Sequence, residues 1–319
     1  MVAFVLFFLI SFADLSQQAE WSYYYETEWP GICRTGTQQS PINIMTQSAV
    51  LDENHTHIKG PLQFRGYNSV KVRGENNGHT LKWGVDGQES QPVLSGGPLN
   101  GTYTFMQFHL HWLSEHAIDG MKYPLEIHMV HVKTGLELSE ALQRPDGVAV
   151  IGTFALIGRH RGASYALEQI MSDVPYLSDR TQNKTDEFDI DLTRMFSPDT
   201  QSYYTYQGSL TTPNCEEVVT WIVMDRPIYI TDDQYKAFYS VDVGSSYNYR
   251  SLQPSNRIVY RSVASCSAIL MPSFAGTIIS LLSCLSSTLT SGINKGICAI
   301  LNAKRKIFGN SIKHCSKLH

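Results

Sequence analysis

The chain carries little net charge and shows no sign of a repetitive or mainly helical protein. Its 319 residues include 25 Lys and Arg against 29 Asp and Glu, which gives a formal net charge of -4. This balance argues against nucleic acid as a partner. No internal repeat is visible, helical patterns are few, and hydrophobic residues make up 42% of the chain. We therefore expect an ordinary globular protein with an ample core.

Cysteine is scarce in the body of the chain, where only Cys33 and Cys215 occur. Two interpretations are open for this pair: a disulfide, which an exported protein permits, or two buried free thiols. The remaining cysteines all lie near the C-terminus, and the sequence does not indicate their pairing: Cys266, Cys284, Cys298 and Cys315.

The N-terminal apolar run is too short to span a bilayer and lacks basic residues before it. Small residues near Ala13, and again at Ala19, are typical of a cleavage site. We interpret residues 1–19 as a signal peptide cleaved after Ala13 or Ala19, with a buried N-terminal strand as the alternative. Three glycosylation sequons, at Asn54, Asn100 and Asn183, agree with export. The expected location is secreted or extracellular, with or without membrane attachment.

The C-terminal stretch, residues 263–319, begins with a long segment that has no charged residue up to Ile293. Ser and Thr are frequent in it and dilute the apolar signal, and the basic run Lys304-Arg305-Lys306 follows. Three interpretations compete: a marginal membrane span that would tether the protein, a lipid-anchor signal near Ser265, and a disordered or unusual tail.

Short β-like runs dominate residues 20–262, separated by Gly, Asn and Pro clusters. We predict a mostly β (α+β) fold, a single domain around a large sheet with short peripheral helices. Two helices are expected, at 164–171 and 231–240, the second opened by Thr231 as a cap. The clearest expected strands are 70–72, 80–83, 104–112, 126–132, 148–156 and 218–223.

Three histidines form the most informative pattern. Alternation with period 2 predicts that Phe105, Gln107, His109 and His111 share one strand face, with Met106 on the other. His-x-His on a strand points two imidazoles in the same direction. Ordinary packing of a half-buried strand is the alternative explanation.

A second segment places Glu126, His128 and Val130 on one face. If the two strands are neighbours, three imidazoles converge on one point. Three nitrogen ligands with a fourth position open are typical of a catalytic zinc site, whereas structural zinc sites close all four positions.

Six motifs in a fixed order connect these histidines to a known family. The chain resembles the α-class carbonic anhydrases, especially their secreted and membrane-tethered members, from about Trp21 to Tyr260. The motifs are Gln39-Ser40-Pro41-Ile42-Asn43-Ile44, Asn76-Asn77-Gly78-His79, Gln107-Phe108-His109-Leu110-His111-Trp112, Ser114-Glu115-His116, Glu126-Ile127-His128-Met129-Val130-His131 and Gly208-Ser209-Leu210-Thr211-Thr212-Pro213.

The resemblance implies a twisted, mostly antiparallel sheet with a zinc ion at the bottom of a conical cavity. It also implies the reversible hydration of carbon dioxide to bicarbonate and a proton. The implied mechanism is attack of zinc hydroxide on carbon dioxide, exchange of bicarbonate for water, and export of the proton through a histidine. In carbonic anhydrases the zinc lowers the pKa of bound water to about 7.

The resemblance assigns a role to each matching residue. The metal ligands are His109, His111 and His128. Their other ring nitrogens are held by Gln107, by Glu126 and by a backbone carbonyl near Asn248.

By the same resemblance, Glu115 and Thr211 are catalytic, with the Thr211 hydroxyl donating to Glu115. His79 is the proton shuttle, and polar residues order the connecting waters: Tyr23, Asn77 and Thr212. The substrate pocket is lined by Val130, Val150, Leu210, Thr212 and Trp221. Cys33 and Cys215 match a disulfide of exported members.

One departure lies near the site: Lys82 stands where a neutral polar residue is common.

Two other functions remain as alternatives. A non-catalytic binding module of this family would lack a ligand histidine, and all three are present. Zinc-dependent ester hydrolysis is expected at most as a side activity.

Overall fold

The structure is a computed structural model that describes residues 21–85, 91–158, 165–179 and 184–262. The predicted signal peptide, the sequon at Asn183 and the C-terminal stretch with its four cysteines lie outside these residues. Within the described ranges, no helix combines the length and apolar character that crossing a membrane requires.

Fifteen short strands are present in the described ranges, and most of them join one large sheet. Their bounds are β1 Asn43–Ile44, β2 Val50–Leu51, β3 Gln63–Arg65, β4 Val70–Asn76, β5 Leu81–Gly84, β6 Val93–Ser95, β7 Thr102–Trp112, β8 Ala117–Ile118, β9 Leu125–Lys133, β10 Val148–Ile157, β11 Phe188–Ile190, β12 Tyr203–Gly208, β13 Val219–Met224, β14 Ile228–Ile230 and β15 Tyr260–Arg261.

The large sheet runs in the order β11-β4-β5-β7-β9-β10-β13-β12-β15-β2, with β3, β6 and β14 paired alongside. Most neighbours are antiparallel, but β10 pairs in parallel with β13 and β14, and β15 pairs in parallel with β2. The prediction of a mostly β single domain around a large sheet is therefore confirmed.

The strands β7 and β9 are antiparallel neighbours, as the histidine pattern required. His109 lies opposite His128, and His111 lies opposite Glu126. On the far side of β9, Gly152 of β10 lies opposite His128. The three histidines thus belong to the centre of the sheet, where both neighbouring strands fix the register.

A β-bulge interrupts β7 between Phe105 and Gln107. These two residues lie opposite adjacent residues of β9, so Met106 is the extra residue. Phe105 consequently packs in the same core cluster as Phe108, while Met106 packs with the cluster on the other sheet face. The expectation that Phe105 shares the face of the histidines was wrong, because an inserted residue shifts the alternation by one.

The helices are short and peripheral: α1 Leu138–Ala141, α2 Tyr165–Glu168 and α3 Asp232–Tyr239. Two 3-10 helices span Tyr23–Glu28 and Leu192–Met195. Thr231 caps α3 as predicted, since its side chain accepts the N–H of Gln234. α2 is shorter than predicted because Ile170 and Met171 bond to the carbonyls three residues back, which continues the chain as tight turns.

Two apolar clusters cover the two faces of the sheet. The larger includes Phe108, Leu110 and Ile151, and the smaller includes Val150 and Trp221. Because successive residues of a strand face opposite sides, Val150 and Ile151 separate the two clusters. The histidine face of β7 lies on the same side of the sheet as the smaller cluster. A cavity beside the histidines therefore opens on that side.

Candidate active site

The imidazoles of His109, His111 and His128 converge on one point. Their ring centroids lie 4.6–5.2 Å apart. One ring nitrogen of each lies within 4.8 Å of the corresponding nitrogens of the other two, which is close enough for all three to hold one metal ion. This arrangement is a candidate metal centre.

Each of the three rings has one nitrogen held by an oxygen acceptor. His109 Nδ1 lies 3.0 Å from Gln107 Oε1, and His128 Nε2 lies 2.8 Å from Glu126 Oε1. His111 Nδ1 contacts the backbone carbonyl of Asn248. Carbonyl and carboxylate oxygens can only accept, so the contacting nitrogen donates and the other nitrogen carries a lone pair. All three lone pairs are thereby directed toward the common point.

The electrostatic environment favours the neutral rings that a metal needs. Burial lowers the pKa of His109 well below its usual value, and the positive charges that His111 and His128 would carry lower it further. Burial also lowers the pKa of His111. His111 Nε2 is buried and has no hydrogen-bond partner among the described residues. A buried donor set of this kind fits a zinc ion, which would occupy the unmet valence of that nitrogen.

Glu126 connects the metal centre to a buried network that the sequence patterns did not reveal. Its Oε1 also lies 2.8 Å from His116 Nδ1, and His116 Nε2 lies 2.6 Å from the hydroxyl of Tyr206. Burial alone would raise the pKa of Glu126, but its interactions with His116 and His128 outweigh burial and hold that pKa well below its usual range. Glu126 is thus a fixed acceptor for His128.

Gly152 makes space for this carboxylate. A Cβ atom at this position would lie 2.9 Å from Glu126 Oε1, which is closer than real Cβ contacts allow. A glycine inside an apolar strand is the sequence signal that could have identified it, because such a glycine often marks a close approach.

Glu115 is fully buried, and the hydrogen bond implied between it and Thr211 is not formed. Glu115 Oε1 accepts the N–H of Arg250 at 2.8 Å, while Oε2 has no hydrogen-bond partner within the described part of the chain. Oε2 lies instead 3.6 Å from His111 Nε2 and 3.8 Å from His128 Nδ1. The bond from Thr211 therefore stays a prediction for the zinc-loaded enzyme.

The three imidazoles line a cavity of about 330 Å³. Val130, Val150 and Trp221 lie directly opposite one another on β9, β10 and β13, which gives the cavity one apolar wall. The lining includes these predicted residues: Tyr23, Asn77, His79, Gln107, His109, His111, His128, Val130, Val150, Leu210, Thr211, Thr212 and Trp221. Glu115, Glu126 and Asn248 are buried behind this surface.

The sequence comparisons agree with this geometry. The sequence model of the eukaryotic-type carbonic anhydrase family matches residues 16–263. The chain belongs to this family. Enzymes of the family are carbonate dehydratases, they act on carbon dioxide and bicarbonate, and they carry zinc in general.

Several named carbonic anhydrases are similar to the chain. Putative carbonic anhydrase 5 of Caenorhabditis elegans is 37% identical over 270 residues, which cover 78% of this chain and 83% of the relative. Carbonic anhydrase 7 of Homo sapiens is 35% identical over 214 residues, covering 65% and 78%. Carbonic anhydrase 3 of Rattus norvegicus is 39% identical over 207 residues, covering 62% and 76%.

His79 of this carbonic anhydrase lies at the margin of the cavity, in a turn after β4. Its ring stacks on Trp21 with centroids 3.7 Å apart. The Asn77 side chain accepts the N–H groups of His79 and Thr80 and thereby fixes the turn. The sequence patterns did not single out Trp21 as a contact of the histidine.

A disulfide joins Cys33 to Cys215, with Cα atoms 4.9 Å apart, so the free-thiol alternative is wrong. Cys215 N donates to the Thr212 carbonyl at 2.9 Å, and the bridge therefore anchors the loop that contributes Thr211 and Thr212 to the cavity. Of the sequon residues, Asn54 and Asn100 are exposed.

Proposed function

We propose that this chain catalyses the reversible hydration of carbon dioxide with zinc held by His109, His111 and His128. The observation that carries the proposal is the pairing of each ring with an oxygen acceptor, which directs three lone pairs to one point. That point lies in a cavity with an apolar wall. The water must be activated by the metal, and carbon dioxide must rest on an apolar surface. The reaction therefore needs the metal site and the apolar wall next to each other.

Zinc held there would acidify a bound water, since in carbonic anhydrases the metal lowers the pKa of that water to about 7. The protein's contribution is to keep the ligands neutral, so that the metal keeps its full charge. Gln107, Glu126 and the Asn248 carbonyl hold each ring by one nitrogen and prevent rotation.

Carbon dioxide has no net charge, so it is held by apolar contact rather than by ion pairing. We assign this role to Val130, Val150 and Trp221, with Leu210 completing the wall. Val150 is 2% exposed and Trp221 is 1% exposed, so little water competes for this surface.

Thr211 and Glu115 are proposed to orient the reacting oxygen in the loaded enzyme. Glu115 Oε2 is the buried acceptor without a partner in the described part of the chain. Donation from the Thr211 hydroxyl to this atom would satisfy it and leave the threonine oxygen as an acceptor. The threonine oxygen would then accept a hydrogen bond from the attacking oxygen and keep a lone pair of that oxygen directed at the substrate.

His79 is proposed to carry the product proton from the cavity to solvent. An imidazole exchanges protons near neutral pH, and this one lies at the margin of the cavity. Tyr23, Asn77 and Thr212 provide polar groups along the intervening cavity surface, where they would order water.

We also propose that the protein is exported. The interpreted signal peptide, the Cys33–Cys215 disulfide and the exposed sequon residues Asn54 and Asn100 support this location. Treatment of secreted protein with a glycosidase, followed by mass spectrometry, would test both the export and the glycans. Unmodified protein retained inside the producing cell would contradict the proposal.

The proposed activity is tested by stopped-flow measurement of carbon dioxide hydration before and after removal of zinc with a strong chelator. We expect activity to disappear with the metal and to return after addition of one equivalent of zinc. Zinc uptake without hydration above the buffer rate would contradict the proposal. Preserved hydration after complete removal of zinc would also contradict the proposal.

A further inference from the structure

A second cavity, of about 360 Å³, lies beside the catalytic one and shares lining residues with it. The shared residues are Lys82, Gln107, Val130 and Leu138. A molecule in the second cavity would therefore contact the same wall that borders the catalytic cavity. The proposed chemistry at the metal makes no use of this second space.

One side of the second cavity is cationic, because the sheet register brings charged groups into a row. Glu75 lies opposite Lys82, and Lys82 lies opposite His109 on the next strand. Cross-strand neighbours on one face are close enough to interact. The ammonium of Lys82 is thus held on the same sheet face as the candidate metal ligands.

Among the residues that the structure describes, the charges on this side do not balance. The Glu75 carboxylate pairs with Lys82 through Oε1 and lies 3.5 Å from Lys184 Nζ through Oε2. Arg73 pairs with Glu187 at 3.3 Å. One carboxylate between two ammonium groups leaves one excess positive charge. Each ammonium has three N–H donors, so its contact with Glu75 leaves capacity for a further acceptor.

The other side of the second cavity is apolar. Val85, Met106 and Val132 line it together with Leu138. Met106 faces this space because the bulge in β7 turns it to the cavity side of the sheet. A cationic side and an apolar side in one cavity match a molecule with one negative group and a hydrocarbon part.

We propose that the second cavity binds a small organic carboxylate, with its carboxylate between Lys82 and Lys184 and its hydrocarbon part on Val85, Met106 and Val132. A monoanion matches the single excess charge, and a hydrocarbon body distinguishes the ligand from bicarbonate. Because the same four residues line both cavities, a ligand in the second cavity narrows the catalytic cavity and thereby inhibits the hydration of carbon dioxide. Only this inhibitory consequence depends on the function proposed above.

Calorimetric titration of the zinc-loaded full chain with phenylpropanoate tests the binding directly. We expect Lys184→Gln to weaken binding by about three- to fivefold, the size expected for a partly exposed ionic contact. The matched control is Lys236→Gln, which removes another ion-paired lysine that lines neither cavity and should bind as the parent does. Equal affinities of the parent and Lys184→Gln would overturn the proposal.

Two further probes separate this cavity from direct binding at the metal. Phenylpropanol has the hydrocarbon part without the charge, and it should bind more weakly than phenylpropanoate in the parent. Acetate has the charge without the hydrocarbon part, and Lys184→Gln should not change its inhibition of hydration. The proposal is wrong if phenylpropanol binds as tightly as phenylpropanoate. It is also wrong if Lys184→Gln weakens acetate and phenylpropanoate equally.

The apolar side is tested by Met106→Asn, which keeps the charges and makes the wall polar. Weaker binding of phenylpropanoate with unchanged inhibition by acetate would support the proposed orientation. Unchanged binding of phenylpropanoate in a folded Met106→Asn protein would contradict it. Calorimetry measures binding whether or not the chain hydrates carbon dioxide, so failure of the proposed function and failure of this inference are distinguishable.

Discussion

The floor and the rim of the catalytic cavity are built on different principles. The floor, defined as His109, His111 and His128 with their oxygen partners, lies in the centre of the sheet, and two of its rings are only 1% exposed. The rim, defined as His79 and Lys82, lies in a turn and near a strand end, where the Lys82 side chain is 32% exposed. Strand register therefore fixes the geometry at the floor, whereas stacking and ion pairs position the rim.

The difference implies different sensitivities to mutation. A buried ring held by an oxygen acceptor has no alternative position, so its loss removes a function outright. An exposed charge or ring is screened by solvent, and buffer or a neighbouring group can partly replace it. The largest effects should therefore come from the floor and the smaller ones from the rim.

His111→Ala should have the largest effect. We expect zinc content and hydration activity to fall together by more than about 100-fold, which is the upper range for loss of a partner that only orients a ligand. Zinc analysis and stopped-flow kinetics on the same samples measure both. His57→Ala, at an exposed histidine that does not line the cavity, should leave both unchanged. Normal zinc content in His111→Ala would show that this ring is not a ligand.

Val150→Tyr should be nearly as harmful while leaving the metal in place. The larger ring would fill the space next to Val130 and Trp221, so activity should fall on the order of a hundredfold with one zinc still bound. Val150→Ala keeps the space open and should lose far less activity. If Val150→Tyr is as active as Val150→Ala, this residue belongs only to the core.

Parts of the floor could be predicted from the sequence because strand alternation is a strong local signal. The pattern of β7 and β9 placed Gln107, His109, Glu126 and His128 correctly relative to one another. It failed at Met106, because alternation contains no information about an inserted residue. The acceptor for His111 is a backbone carbonyl distant in the sequence, which no side-chain pattern can reveal.

The rim and the outer network were harder to predict, because they depend on tertiary contacts. Trp21 stacks on His79 across a large sequence separation, and Tyr206 reaches His116 from β12. Gly152 carried a readable signal, since it interrupts an apolar strand. The bond from Thr211 to Glu115 that the resemblance implies stays a prediction, because a shared motif fixes which residues are present and not every contact between them.

His79→Ala should show the milder behaviour of the rim. We expect turnover in dilute buffer to fall by up to about a hundredfold, while the step that forms bicarbonate stays nearly intact. Imidazole buffer should restore much of the loss, because it can carry the proton instead. Isotope exchange between carbon dioxide and bicarbonate measures the first quantity, and steady-state turnover measures the second. Full turnover in dilute buffer would exclude His79 as the carrier.

His131 is buried but does not bind the metal, so its replacement reports the effect of burial alone. Among the variants considered, this replacement should change activity least. Both of its ring nitrogens have partners, the Tyr67 hydroxyl at 2.6 Å and the Ala149 carbonyl at 3.2 Å, so no lone pair remains for a metal. Burial lowers its pKa to about 4 from the usual 6.5. The unfolded chain therefore binds a proton at a pH where the folded chain does not.

The sign of the resulting pH dependence follows directly. His131 costs no stability above about pH 6.5, and the free energy of unfolding should fall as the pH drops from 6.5 toward 4, by about 2 kcal/mol at pH 5. Urea unfolding at pH 7 and pH 5 measures this loss, and His131→Gln should reduce it while His57→Gln should not. Equal pH dependence in all three proteins would contradict the assignment.

The central claim is that three neutral imidazoles of the floor, and no other protein group, hold the metal. X-ray absorption at the zinc edge of the loaded protein tests it most directly. We predict three imidazole nitrogens and one further light atom at about 2.0–2.1 Å, with one imidazole fewer in His111→Ala if any zinc remains bound. A sulfur shell at about 2.3 Å, or fewer than three imidazoles in the parent protein, would contradict the account.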